Sequence, residues 1–301
     1  MRIGVAATPD VAIPTLDWLL QSEHEVVLVI SRPDRPAGRG RELTSSAVSN
    51  WAIAHQIALL RPQSADELVG VIDDLDLVIT IGYGVLIPLE ILRRPKYGFI
   101  NLHFSLLPAY RGAAPVQRAL ENRERITGVT VFALDKGMDT GPIYSSAQIE
   151  IDPTWRAGEL LTVLAKMGPT VIGKALTAIA VGTSARAQTG SASKANKISK
   201  AEAQINWSQP STTIEAKIKA FFPAPGAWTM WNGGVFKITR AQSIDVLLPP
   251  GRIQVLDSQV HVGCGDSASL QITSVVPAGK REMSALDWAR GARLTQGACF
   301  G

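Results

Sequence analysis

Residues 2–31 read Arg2-Ile-Gly-Val-Ala-Ala-Thr-Pro-Asp10-Val-Ala-Ile-Pro-Thr-Leu-Asp-Trp-Leu-Leu-Gln21-Ser-Glu-His-Glu25-Val-Val-Leu-Val-Ile30-Ser31. Residues 2–7 form a short apolar run, the pattern of a strand buried on both faces. Asp10 to Gln21 places Ile13, Leu16, Leu19 and Leu20 on one side of a helix, with Pro14 in the first turn, where it is tolerated. Glu25–Ser31 is a second buried strand. One strand–helix–strand unit is therefore complete within thirty residues.

The pattern continues outward from this unit. Residues 46–55 read as a helix, 57–60 as a short strand, 64–74 as a helix, Leu75–Ile81 as a strand and Pro88–Leu92 as a short helix. Such alternation implies an α/β fold: a Rossmann-like, mostly parallel sheet with helices on both faces. The first strand–helix turn, Gly4 to Asp10, holds one glycine, against the three of the dinucleotide fingerprint. No phosphate-binding GxxxxGK[ST] run occurs either. These two observations speak against a nicotinamide cofactor.

Beyond this sheet, Ile100-Asn-Leu-His-Phe-Ser-Leu-Leu-Pro-Ala-Tyr-Arg-Gly112 starts as a strand and is broken by Pro108 and Gly112. Asn101 and His103 are two residues apart and share one face of that strand. In open α/β sheets chemistry gathers where strands run out into loops. A strand at Gly128–Leu134 leads into a turn, Asp135-Lys-Gly-Met-Asp139-Thr-Gly-Pro142. If Asp139 lies beside His103, the set is Asn, His and Asp with no attached nucleophile, since no nucleophile-elbow glycines surround Ser105. That set suits transfer between two bound substrates. An amide stabilises an oxyanion, an imidazole takes a proton from an attacking amine, and a carboxylate fixes and charges the imidazole.

Residues 143–151 read as a strand and about 155–181 as a helical region interrupted at Gly168-Pro169. The expected domains are 1–182, a linker at 183–203, and 204–301. The linker is rich in Gly, Ser, Ala, Asn and Lys. In the last domain a helix at 212–222 precedes short strands near 227–231, 235–242, 252–256, 259–263 and 269–276, the spacing of a small OB-like β-barrel.

Cys264 and Cys299 are too few for a disulfide framework, and no Cys or His spacing matches a zinc site. No apolar run of 18 residues is read, so no membrane association is expected, and the cytoplasm is the expected location. Residues 184–301 carry 13 Lys and Arg against 7 Asp and Glu, whereas residues 1–183 carry 17 against 19. A basic C-terminal part points to a polyanionic partner. Within residues 32–43, Arg32, Arg35, Arg39 and Arg41 lie in a Pro- and Gly-broken stretch, read as a loop that meets phosphates.

Asn101-Leu-His103-Phe-Ser105-Leu-Leu-Pro108, Tyr110-Arg-Gly112 and Asp139-Thr-Gly141 together resemble the signature of the 10-formyltetrahydrofolate-dependent formyltransferases. The resemblance implies that Asn101, His103 and Asp139 are catalytic. It also implies that Ser105, Leu106, Leu107 and Pro108 contact the folate and that no metal is needed. The branch of that family acting on methionyl initiator tRNA is matched over nearly the whole chain: Ala6–Asp10, Pro33–Gly40, Ala113–Gln117, Ile198–Glu202, Ile205–Trp207, Pro223–Trp228 and Pro277–Lys280. This implies tRNA contacts from Arg39, the matching arginine of the family's basic loop, and from the C-terminal domain, and a role in translation initiation; Arg35 and Arg41 are expected to join Arg39 on the tRNA from the loop's charge, and a monomer is expected. Ala7 and Phe104 depart from the family pattern without removing a catalytic group. Two alternatives stay open on the residues: transfer to a small amine such as an amino sugar or glycinamide ribonucleotide, and a catalytically silent RNA-binding protein.

Overall fold

The computed structural model describes residues 1–37 and 42–301. In chain order the elements of its first part are β1 (Arg2–Ala7), α1 (Ile13–Leu20), β2 (Glu25–Ile30), β3 (Arg35–Ala37), β4 (Glu42–Thr44), α2 (Ala47–Ala54), β5 (Leu59–Leu60), β6 (Leu77–Ile81), α3 (Leu89–Leu92), β7 (Phe99–His103), α4 (Pro115–Glu121), β8 (Ile126–Ala133), β9 (Ile143–Glu150) and α5 (Ala157–Ala180). Among the described residues, a seven-stranded sheet runs in the order β5-β2-β1-β6-β7-β8-β9. Strands β5 through β7 are parallel, and β8 and β9 are antiparallel additions. Successive strands step outward from β1 in one direction through β2 to β5, then restart on its other side at β6. The strand order therefore reverses between β1 and β6, the position where open α/β sheets bind ligands.

Side-chain alternation sorts the buried residues onto two faces. Ala6, Leu28, Ile30, Val78 and Phe99 face one core together with Leu68, Ile72, Leu75, Ile91 and Leu92. Leu102, on the opposite face from Phe99, meets α5 at Gly168. A Cβ on Gly168 would stand 2.5 Å from Thr15 Oγ1 and 2.9 Å from Leu102 Cδ2. This close approach explains why α5 runs unbroken through Gly168-Pro169, where an interruption was expected. The pair serves tight packing, and the buried stripe Leu164, Ala165, Val171, Ile172, Ala175, Leu176 and Ile179 continues across it. Helix α5 is also long and apolar enough to cross a membrane by length and composition, and 44% of its apolar window is buried inside this protein. The expected helix at 64–74 is instead a single 3-10 turn at Ala65–Leu68, capped by Ser64 and Glu67 and followed by Gly70 at φ +82°.

Among the described residues, strands β3 and β4 pair only with each other, Arg35 opposite Thr44. Arg35 is exposed. Arg39 and Arg41 lie outside the described residues.

The chain divides into two compact units. The first is Met1–Pro115, Ile126–Glu150 and Leu161–Asn196; the second is Val116–Arg125, Ile151–Leu160 and Lys197–Gly301. Residues 183–196, read as part of a linker, thus belong to the first unit, where Arg186 bridges Ile143 and Lys194 bridges Arg111.

The second unit contains α6 (Ser211–Phe221), β10 (Trp228–Trp231), β11 (Gly234–Ile244), β12 (Ile253–Leu256), β13 (Gln259–Gly263), β14 (Ser269–Val276), β15 (Met283–Ser284) and α7 (Ala285–Ala292). Its antiparallel sheet follows the path β10-β11-β14-β13-β12, with β15 on β14. Register shifts around Arg240 interrupt the β11–β14 ladder, the kind of bulge that bends a strand. Among the described residues no pairing joins β10 to β12, so the sheet is an open half-barrel. Its core stacks Trp207 on Phe300 and sets Phe236 against Trp288, with ring centroids 5.5 and 4.6 Å apart.

Candidate active site

Asn101 and His103 occupy the C-terminal end of β7 and share the face of Phe99. Their neighbour on β6 is Thr80, directly opposite Asn101 in the parallel register. Thr80 Oγ1 donates to the Ile100 carbonyl at 3.1 Å. With its proton committed there, the hydroxyl can only accept, and Asn101 Nδ2 donates to it at 2.7 Å. The carboxamide is thereby oriented: its nitrogen sits beside Thr80, with a second N–H left to donate elsewhere.

His103 is 6% exposed. Its Nε2 stands 2.9 Å from the Tyr110 carbonyl. A carbonyl only accepts, so Nε2 carries the proton and the neutral ring has its lone pair on Nδ1. Nδ1 lies 3.7 Å from Asp139 Oδ2. Sequence reasoning assigned the choice of tautomer to Asp139; in the structure the Tyr110 carbonyl makes it. Tyr110 takes φ +60° to aim that carbonyl, a left-handed conformation of the kind that clusters at functional sites. Burial holds the His103 imidazole below its ordinary pKa, opposed by the Asp139 charge and by the bond to Tyr110. The resting ring is therefore neutral near pH 7, and a proton arriving on Nδ1 meets a carboxylate.

Asp139 also sits at positive φ, +54°, in a turn organised by Asp135. That carboxylate accepts from Gly137 N–H at 2.9 Å and from the Thr140 hydroxyl at 2.6 Å. Asp139 Oδ2 accepts from Gly112 N–H at 2.7 Å. Gly112 has φ +129°, and a Cβ there would stand 2.6 Å from the Ala195 carbonyl oxygen. Only glycine lets this backbone approach both Asp139 and residue 195.

The three side chains border a cleft of about 500 Å³. Its lining also includes the apolar side chains Tyr83, Val85, Leu86 and Ile87 after β6, and Met138 beside Asp139. Leu86 and Met138 are 79% and 68% exposed, large apolar groups held open to solvent at a concave site. Burial pushes the Tyr83 hydroxyl above its ordinary pKa, so it adds no charge to that lining.

Ser105, Leu106, Leu107 and Pro108, expected to contact the folate, follow β7. Ser105 is 1% exposed, and its hydroxyl donates to the Ala109 carbonyl at 2.6 Å. Thr130 Oγ1 donates to the Ser105 carbonyl and accepts from Leu107 N–H. Leu106 packs near Gly128. The hydrogen bonds of Ser105 and Leu107 shape the turn that carries Tyr110 and Gly112. The sequence reading does not single out Tyr83–Ile87, which line the cleft. The available signal was an apolar run between Gly82 and Pro88 that belongs to neither a helix nor a strand, directly after a buried parallel strand.

Comparison with known proteins adds an independent line of argument. The family profile described as formyl transferase matches residues 1–176, and the profile described as formyl transferase, C-terminal domain, matches residues 197–293. A methionyl-tRNA formyltransferase of Thermobifida fusca is 40% identical over 310 residues, covering 100% of this chain and 99% of its own. That of Salinispora tropica is 41% identical over 308 residues, covering 99% of each. Among solved structures, HypX from Aquifex aeolicus in complex with tetrahydrofolic acid superposes with a TM-score of 0.67 at 19% identity. The match covers 96% of this chain and 47% of HypX, a likeness of fold.

Proposed function

The chain belongs to the formyl transferase family, and from that premise we propose how its residues carry a formyl group to methionyl-tRNA. The donor is 10-formyltetrahydrofolate, and the acceptor is the α-amino group of methionine on initiator tRNA. The products are formylmethionyl-tRNA and tetrahydrofolate, for translation initiation. The observation that carries this reading is the meeting of Asn101, His103 and Asp139 in one cleft that apolar side chains also line.

Formyl transfer from one nitrogen to another passes through a tetrahedral oxyanion. The Asn101 N–H that Thr80 does not use donates to that oxygen. A preorganised amide of this kind stabilises such a transition state by about 3 kcal/mol. An α-amino group has a pKa of about 8, so a useful neutral fraction is present near pH 7. The attacking nitrogen must still lose a proton as its bond to the formyl carbon forms. His103 Nδ1 is the lone pair placed to take it, and the resulting imidazolium sits between the Tyr110 carbonyl and the Asp139 carboxylate. The proton then returns to the departing folate nitrogen. The chain builds no covalent nucleophile; positioning and oxyanion stabilisation supply the acceleration.

The apolar side chains of Tyr83, Val85, Leu86, Ile87 and Met138 suit the flat ring faces of a folate, and we assign them that role. Arg35, Arg39, Arg41 and the basic C-terminal part are assigned to tRNA phosphates. The test offers 10-formyltetrahydrofolate with methionyl initiator tRNA, free methionine, an amino-sugar nucleotide and glycinamide ribonucleotide separately, at several salt concentrations. Formylation of the charged tRNA alone, falling steeply with salt, is expected. Transfer to a small amine in preference to tRNA would overturn the acceptor assignment.

A further inference from the structure

We propose that Gln188 is a positioning residue for formyl transfer, tying the loop that carries Asp139 to the turn whose Tyr110 carbonyl holds His103. The inference rests on the catalytic reading of Asn101, His103 and Asp139 given above, and it extends the site to a segment whose composition reads as a tether.

The primary amide of Gln188 has two donors and one acceptor oxygen, and all are used. Its Nε2 donates to the Asp139 carbonyl at 2.9 Å and to the Gly141 carbonyl at 2.8 Å. Its Oε1 accepts from Arg111 Nη2 at 2.6 Å and from Arg111 Nε at 3.2 Å. One side chain thus grips the backbone of the Asp139 turn on one side and the residue following Tyr110 on the other.

The surrounding chain holds Gln188 in that place. Before it, Arg186 and Ile143 exchange backbone hydrogen bonds at 2.7 and 2.9 Å. After it, Ser193 Oγ accepts from Tyr110 N–H at 2.8 Å, and the Ser193 carbonyl accepts from Arg111 N–H at 2.9 Å. Ala195 N–H then donates to the Arg111 carbonyl at 2.6 Å. Residues 186–195 form a strap across both loops, and Gln188 is the side chain in it that bonds to each.

This arrangement has a chemical consequence. The proton acceptor of the reaction is defined by two loop atoms, the Tyr110 carbonyl at one ring nitrogen and the Asp139 carboxylate near the other. Neither loop belongs to the sheet, so their spacing depends on what joins them. Gly112 N–H to Asp139 Oδ2 is one link, and it acts on the carboxylate itself. Gln188 acts on the backbone of the turn, so it sets where that carboxylate starts. Loosening the strap should let Asp139 move away from His103 and weaken the charge that favours the imidazolium.

The experiment uses the full-length chain with Gln188→Ala and Gln188→Met. The second keeps the side-chain length and removes every hydrogen bond, so it serves if the first fails to fold. Turnover in methionyl-tRNA formylation and the NMR titration of His103, assigned among the four histidines with His103→Ala, are both read. Expected are a kcat lowered about 10-fold, a KM for tRNA within about twofold of wild type, and a His103 titration displaced to lower pH. A folded variant with unchanged kcat and an unchanged His103 titration overturns the clamp and leaves the catalytic set intact. Full turnover by His103→Ala overturns the catalytic set, and the titration still decides whether Gln188 fixes the geometry.

Discussion

The two units of the chain use their buried side chains in opposite ways. Around the cleft of the first unit, a few polar groups each have an assigned partner: Thr80 with Ile100 and Asn101, His103 with Tyr110, Asp139 with Gly112, and Gln188 with both loops. In the second unit Trp207, Trp231, Phe236, Trp288 and Phe300 interlock with ring centroids 4.6 to 5.8 Å apart, and the polar run that touches them is short: Trp207 Nε1 donates to Thr229 Oγ1, which donates to the Gly301 carbonyl. The first arrangement is specified chiefly by hydrogen-bond direction and the second chiefly by shape. A change of side chain should therefore alter rate in one and stability in the other.

The largest effect expected is in the aromatic core. Phe236 is 1% exposed and touches Trp288 and Phe300. Phe236→Ala should cost about 3–5 kcal/mol of unfolding free energy, measured by denaturant titration, while the folded fraction keeps its turnover. A loss of turnover in fully folded protein would break the comparison from the second unit's side.

Asn101→Ala is the counterpart in the cleft. It should raise the barrier by about 3 kcal/mol, roughly 10²-fold in kcat, with little change in unfolding free energy. If the variant instead loses stability and keeps its rate, Asn101 is a strand hydrogen-bonder and nothing more.

The third effect is smaller and concerns pH. His103 must be neutral to accept a proton, and its pKa lies below the ordinary imidazole value because burial disfavours the charged ring. Turnover should therefore show two acid limbs, one at about pH 8 where the acceptor amine gains its proton and a second at that lowered value where His103 does. The sign for stability is the same. The unfolded chain takes up the proton at higher pH than the folded one, so stability is lost as pH falls from the ordinary imidazole value toward the folded one. Asp139→Asn removes the charge that opposes burial. It should lower turnover and move the lower acid limb of the kcat profile further down. A lower acid limb that moves up, or stays in place, would contradict the assigned role of Asp139.

The same contrast explains what could be read from the residues alone. Apolar runs at Arg2–Ala7, Glu25–Ile30 and Leu77–Ile81 announce buried parallel strands because a strand covered on both faces has few polar positions. Asn101 and His103 stood out because two polar groups at spacing two on such a strand need a reason. Gln188 did not, because an amide among Ala, Thr, Gly and Ser resembles solvated chain, and its four bonds exist only once two distant loops converge on it. Thr80 was hidden for a related reason: a threonine is ordinary in a strand, and its role appears only from the register that sets it opposite Asn101. Gly168-Pro169 misled in the other direction. Local propensity favours a break there, and close packing on Thr15 and Leu102 overrides it.

The most direct test of the account is single-turnover formylation of methionyl initiator tRNA from 10-formyltetrahydrofolate by the wild-type chain and by His103→Ala, each saturated with tRNA. The account predicts a rate at least about 10²-fold lower for His103→Ala, with the Kd for tRNA unchanged. Equal rates for the two proteins would remove His103 Nδ1 as the proton acceptor and contradict the mechanism built on it.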